Sequence, residues 1–69
     1  MMSRTYLPIR AAHEIRTTDH PSIRAGTPGE IIGVSGDIPP SYCVTFWPDG
    51  RDGAAVTINH LTRIDLKEA

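Results

Sequence analysis

The sequence is poor in residues that would point to a function class. Its 69 residues include one cysteine, Cys43, and one lysine, Lys67. A single cysteine excludes a disulfide framework within the chain and a cysteine-rich zinc site, and it fits a reducing compartment. No apolar run approaches the length of a membrane span, and no hydrophobic signal segment follows the N-terminus. We therefore expect a cytoplasmic protein without a membrane partner.

An excess of charge of one sign is also missing. Seven basic and eight acidic residues give a formal net charge of -1, and six of the seven cations are arginines spread along the chain. A surface that binds phosphates through many contacts normally shows a basic excess. The charge balance therefore disfavours nucleic acid as the partner.

Short stretches of alternating apolar and polar residues take the place of helical periodicity. Such alternation is typical of strands with one buried face. It predicts strands over residues 9–16, 30–34, 42–47, 54–58 and 62–66, with a helical turn over Asn59–Leu61 and a bend or bulge at Gly33. The sequence thus predicts an all-β protein with a flexible arm (1–8), one domain (9–66) and a polar tail (67–69).

The expected core consists of the large apolar residues in these strands. They are Ile9, Ile15, Ile32, Val34, Tyr42, Val44, Phe46, Val56, Ile58, Leu61, Ile64 and Leu66. So few core residues in a chain near the lower size limit for independent folding make a homo-oligomer plausible.

Three segments carry a resemblance to a known architecture: Gly29–Val34, Tyr42–Phe46 and Val56–Ile64. With the long first loop, they resemble an SH3-like barrel, which has five strands and one short helical turn before the last strand. The resemblance covers about residues 9–66. It implies an architecture, because this fold serves many unrelated functions.

Within that architecture the chain is similar to plasmid-type (type II) dihydrofolate reductase, a homotetramer whose pore is lined by a Val-Gln-Ile-Tyr strand. Val56, Thr57, Ile58 and Asn59 stand at the corresponding place. Thr57 and Asn59 replace the glutamine and tyrosine, and the only lysine, Lys67, lies in the tail. The resemblance implies a fold and a tendency to oligomerise, while these departures remove most of the family's ligand contacts.

Residues that could carry catalysis lack suitable partners in the sequence. His13, His20 and His60 have neither the i, i+4 spacing of a metal face nor an evident second ligand. Cys43 stands in the middle of a strand, where a cysteine is normally packed and inert. We expect no catalytic residue, no metal ligand and no cofactor.

The tryptophan and arginines around the third turn supply the candidate binding site. If Phe46 points into the core, Trp47 points away from it, close to Arg51 and to Arg63 on the last strand. Trp and Arg are enriched among residues that anchor interfaces. The structural alternative is that the indole only covers the base of a loop. The loops 17–28 and 35–41 are expected to border the same groove, with Pro39 and Pro40 as its wall.

The sequence therefore predicts a non-enzymatic module that binds a protein partner or copies of itself through Trp47, Arg51 and Arg63. The first alternative is a nucleic-acid-binding barrel of the KOW type, in which Trp47 would stack on bases beside Arg16, Arg24 and Arg51. The second is a relative of the type II reductase with a tetrameric pore at Val56–Asn59.

Overall fold

The computed structural model describes residues 7–17 and 22–69, which form one five-stranded antiparallel sheet. The strands are β1 (Leu7–Ala11), β2 (Pro28–Val34), β3 (Tyr42–Phe46), β4 (Val56–Leu61) and β5 (Leu66–Glu68), and a 3-10 turn (Arg63–Asp65) precedes β5. The predicted all-β class, the number of strands and a helical turn before the last strand are confirmed. The last strand was predicted over 62–66, but Arg63–Asp65 form the turn, so only Leu66 of that segment belongs to β5.

The strands are arranged in the order β4-β3-β2-β1-β5. Among the described residues, β4 pairs only with β3, and β5 pairs only with β1. The sheet is therefore open, with β4 and β5 as its two edges. No helix within 7–17 and 22–69 has the length and apolar character needed to cross a bilayer.

The helical turn lies later in the chain than predicted. β4 continues to Leu61, and the segment Asn59–Leu61 is strand with a bulge instead of a turn. His60 has a φ of 66° in the bulge, where the pairing moves from Val44↔Ile58 to Tyr42↔Leu61. The left-handed residue therefore bends a strand and does not end it.

The ends of the domain also differ from those predicted. β1 starts at Leu7, so the last two residues of the predicted arm belong to the sheet, while residues 1–6 lie outside the described residues. β1 stops at Ala11, five residues earlier than predicted. Lys67 and Glu68 of the predicted tail belong to β5, which pairs with β1 between Ile9↔Glu68 and Ala11↔Leu66.

The core lies on one face of the sheet and includes residues of the connection after β1. Its buried apolar residues are Ile9, Ala11, Ile15, Ile23, Ile31, Val44, Phe46 and Leu61. Ile15 and Ile23 exchange two backbone hydrogen bonds of 2.8 Å across this connection. The burial predicted for Ile15 is confirmed, whereas Ile23 lies in the predicted loop 17–28 and is nevertheless among the most deeply buried side chains.

The bulge in β2 explains why the core prediction was wrong there. Ile31 pairs with Val44 and is buried, whereas Gly33 pairs with Cys43, so Ile32 is the extra residue and is exposed. The bend predicted at Gly33 is confirmed. Val34 and Ile64, also predicted as core residues, are exposed as well.

Candidate functional site

Two consecutive tight turns bring Arg51 back over Trp47. The backbone N–H of Gly50 donates to the carbonyl of Trp47 at 3.2 Å, and the N–H of Gly53 donates to the carbonyl of Gly50 at 3.0 Å. Pro48 fits the second position of the first turn, and Gly50 has a φ of 88°, which glycine adopts without strain. The reversal places the Arg51 guanidinium 4.1 Å from the centroid of the indole ring.

Glu30 of β2 forms an ion pair with this arginine. The guanidinium of Arg51 donates to the Glu30 carboxylate at 3.3 Å, and the Arg51 side chain is 68% exposed. We call these three residues, Glu30, Trp47 and Arg51, the Trp47 platform. A cation over an aromatic face is favourable by about 0.5–1 kcal/mol when exposed. The ion pair adds little at such exposure but sets the direction of the guanidinium.

The platform lies on the outer side of the sheet. Trp47 follows Phe46, whose side chain is fully buried, and successive side chains of an extended segment point to opposite sides. The backbone N–H of Trp47 bonds to the carbonyl of Pro28 at 3.0 Å, so Trp47 extends the β2–β3 pairing by one residue. The indole is half-buried. Part of the Trp47 side chain is therefore covered and part of it is accessible to solvent.

Arg63 lies elsewhere. It lines a shallow depression of about 310 Å³ on the core side of the sheet, together with Leu7, Tyr42 and Leu66. The structure therefore brings Trp47 and Arg51 together, as the sequence predicted, and places Arg63 in a different surface.

The groove predicted beside Trp47 and Arg51 is only partly matched by the one observed. A groove of about 740 Å³ lies between the first connection (Ser22, Arg24 and Thr27) and a second set of residues, Pro48, Asp49 and Ala54 to Val56, and neither Trp47 nor Arg51 lines it. The loop 35–41 joins the far ends of β2 and β3, near the pair Val34↔Tyr42, whereas Trp47 follows the near end at Gly29↔Phe46. Pro39 and Pro40 therefore do not form its wall, because the length of β2 separates the two loops.

The residues compared with the reductase pore all lie on β4. Thr57 and Asn59 are exposed, while Val56 and Ile58 are half-buried against the core. The hydroxyl groups of Thr45 and Thr57 are 3.0 Å apart across the outer side of β3 and β4. The four residues thus occupy an edge of the sheet, where a neighbouring chain can reach them.

An ion pair that the sequence did not reveal ties the first connection to the 3-10 turn. His13 Nε2 is 2.7 Å from Asp65 Oδ1, and His13 Nδ1 is 2.7 Å from the carbonyl oxygen of Glu14. Ala12 donates its backbone N–H to the carbonyl of Asp65 at 2.9 Å. No local motif links positions 13 and 65, so only the fold could show this contact.

The charges of this pair follow from its hydrogen bonds. A carbonyl oxygen and a carboxylate only accept, so both contacts of His13 are satisfied when both ring nitrogens carry hydrogen. The Glu14 carbonyl and then the Asp65 carboxylate raise the pKa of His13 above 6.5. The Thr62 backbone N–H, followed by His13 and the Thr62 hydroxyl, lowers the pKa of Asp65 below 3.8. With both nitrogens engaged, this imidazole links the first connection to the 3-10 turn.

The pair makes stability depend on pH. The stability that His13 contributes is fully present below its unfolded pKa near 6.5 and is lost as pH rises through its higher folded pKa. The stability that Asp65 contributes is present above its unfolded pKa near 3.8 and is lost as pH falls through its lower folded pKa. We expect the melting temperature of the wild type to exceed that of His13→Ala most near pH 5–6, and the difference to shrink towards pH 8. Thermal melts across this range measure it.

A suitable control is His60→Asn, which removes an imidazole from β4, tolerates the left-handed backbone and leaves the ion pair in place. It should keep the pH dependence of the wild type. Equal curves for wild type and His13→Ala at every pH would show that the ion pair contributes nothing.

Among the described residues, no three side chains of His, Cys, Asp or Glu are grouped closely enough to hold a metal ion. Comparison of the chain with known family models, curated proteins and solved structures gives no significant match.

Proposed function

We propose that this chain is a small, non-enzymatic interaction module of the cytoplasm that binds another protein chain, with the Trp47 platform as its contact surface. The observation that supports the proposal most is the stack of Arg51 on Trp47, which an ion pair between Arg51 and Glu30 holds in place. Ordering long side chains is a main cost of association, and here that cost is met within the chain itself. Tryptophan and arginine are also the residue types that most often anchor interfaces.

Arg63 is a second and more distant candidate contact. Its depression exposes apolar side chains on the core side of the sheet, among them Leu7, next to the charged residues Lys67 and Glu68. A partner that reached from the platform to this depression would have to wrap around the sheet. We therefore treat Arg63 as a separate contact that variants can distinguish.

We further propose that the sheet belongs to an SH3-like barrel. The support is the strand order β4-β3-β2-β1-β5, the long connection between β1 and β2, and the 3-10 turn immediately before β5. The bulges in β2 and β4 bend the sheet in the way that barrels need.

The proposed contact surface is tested with matched arginine variants. Immobilised wild type, Arg51→Ala, Arg63→Ala and Arg24→Ala are used to retain proteins from a lysate of the cells that produce the chain. Removal of an anchoring side chain weakens binding by 2 kcal/mol or more, which is about 30-fold. We expect Arg51→Ala to lose its retained partner and Arg24→Ala, an exposed arginine at the 740 Å³ groove, to keep it.

Retention of the same partner by Arg51→Ala and wild type would contradict the proposal. Loss of the retained partner in Arg63→Ala alone would mean that the partner binds at the depression around Arg63 and not at the Trp47 platform. Melting curves of each variant establish that it is folded, so that unfolding is not mistaken for lost binding.

The two alternative functions predict different results. A KOW-like nucleic-acid-binding barrel predicts affinity for single-stranded RNA or DNA that falls steeply between about 50 and 200 mM salt. A relative of the type II reductase predicts a tetramer that transfers hydride to dihydrofolate at Val56–Asn59. Absence of both activities, together with the loss in Arg51→Ala, favours the interaction module.

A further inference from the structure

The two edges of the sheet are built very differently. β5 has three residues, two of which are Lys67 and Glu68. β4 has six residues, and from Gly53 to Thr62 the chain has no Asp, Glu, Lys, Arg or Pro. Soluble proteins protect exposed edges by short length, charge, proline or bulges. β5 has two of these devices, whereas β4 has none before its bulge at His60.

The backbone of β4 is available for pairing along the free edge of the strand, opposite the edge that pairs with β3. In an antiparallel sheet, successive residues direct their N–H and C=O groups alternately to one side and the other. Since β4 pairs only with β3 among the described residues, about half of its backbone groups point away from the sheet. Within that part of the chain, no backbone hydrogen bond from another segment reaches them.

The geometry points to a second copy of this chain on that edge. We propose that two copies pair β4 with β4 in antiparallel fashion, about a two-fold axis near Thr57, so that one sheet continues across both. The inference rests on the proposed function, in that it names the partner as the same protein. It adds a second surface, the β4 edge, to the Trp47 platform.

Charge and side-chain placement favour a copy over an unrelated strand. A two-fold axis places each residue opposite itself or its near neighbours, so any charge on the strand would face a like charge. β4 has no charged residue to be repelled in this way, whereas the same pairing of β5 would bring Lys67 against Lys67. An axis at Thr57 sets Val56 of one copy opposite Ile58 of the other, and both are still partly exposed.

The proposed pairing at the β4 edge is tested by two variants that introduce charges of opposite sign. T57K/N59K and T57D/N59D each place two like charges on exposed positions of β4. Each variant should therefore repel its own copy, even if the two-fold axis lies a residue or two away from Thr57. We expect light scattering to give about twice the 7.5 kDa chain mass for the wild type and the single mass for each variant. An equimolar mixture of the two variants should return to the double mass, because opposite charges then meet.

The control is I38K/I64K, which adds the same charge at two highly exposed apolar positions away from β4. It should stay dimeric; a monomeric control would show that exposed apolar surface and not the edge drives association. If either double variant unfolds, the single variants Asn59→Lys and Asn59→Asp are used instead, because they keep the hydrogen bond between the hydroxyl groups of Thr45 and Thr57.

Other outcomes overturn the inference and leave the proposed function to its own test. A wild type that stays monomeric at all concentrations contradicts the edge pairing, while loss of a captured partner in Arg51→Ala would still support the platform. A monomeric wild type whose captured partner is lost in T57K/N59K would mean that an extended segment of another protein occupies β4. Folded charge variants that remain dimeric, or a mixture that stays monomeric, exclude pairing at β4. A dimer that depends on β4 but not on Arg51 would support the edge, and the platform would still be judged by the capture experiment with Arg51→Ala.

Discussion

Replacing Phe46 with alanine should unfold most of the protein at room temperature. Its side chain is fully buried between the sheet and the first connection, and it is the largest of the completely buried residues. Removal of a buried phenylalanine costs about 3–5 kcal/mol. In a chain of this size a single hydrophobic core rarely supplies more than about 3–5 kcal/mol of net stability. The cost is therefore comparable with the whole stability.

Urea denaturation followed by circular dichroism measures this loss. Ile38→Ala is the matched control, because Ile38 is 97% exposed and its truncation should change stability by no more than about 0.5 kcal/mol. Phe46→Leu should fall between the two. A Phe46→Ala variant as stable as the control would mean that the core described here does not carry the fold.

Replacing Gly29 with alanine should be almost as damaging, although it adds only one methyl group. A Cβ atom at this position would lie 2.8 Å from Cδ1 of Phe46 and 2.8 Å from the carbonyl oxygen of Thr45. Neither neighbour can move cheaply, since the ring is buried and the oxygen belongs to the β2–β3 pairing. Overpacking of a core costs about 1–3 kcal/mol, and we expect the upper end of this range.

Gly36→Ala is the control for this substitution, because a Cβ at Gly36 has no neighbour within 4 Å. Denaturant midpoints of the two variants should differ clearly, with Gly36→Ala close to the wild type. In a Phe46→Leu background, the cost of Gly29→Ala should fall in part, since the contact with the ring is relieved while that with the Thr45 oxygen remains. Equal costs for the two glycines would contradict the close packing of β2 on Phe46.

The alternation of residues 42–47 was sufficient to predict β3 and the directions of Phe46 and Trp47. A strand with one apolar residue at every second position has only one register that buries them. The stack of Arg51 on Trp47 was also predictable, because Pro48, Gly50 and Gly53 indicate turns that return the chain to its starting point.

The sequence was less informative where apolar residues stand at consecutive positions, so that either face of the strand could be the buried one. In β2, Ile31 and Ile32 are equally suited to the core, and only the bulge decides that Ile31 faces inward. Ile23 was missed for another reason. It stands in a segment without alternation, and its burial depends on the bridge to Ile15, eight residues away.

Contacts between distant segments could not be predicted at all. The pairing of His13 with Asp65 joins positions 52 residues apart. It requires β1 and β5 to be neighbours, which no local pattern indicates. The same holds for the unprotected edge at β4, because which strand becomes an edge is a property of the strand order.

That strand order also bears on the route by which the chain folds. The pairings β2–β3 and β3–β4 join strands that follow one another in the chain, so each can form by closing a short loop. β1–β5 pairs residues as distant as Ile9 and Glu68, and its closure entropy is correspondingly larger. A meander of β2, β3 and β4 is therefore expected to assemble first and to serve as the template on which β1 and finally β5 are added. The short, charged last strand thus completes the domain late and opens first.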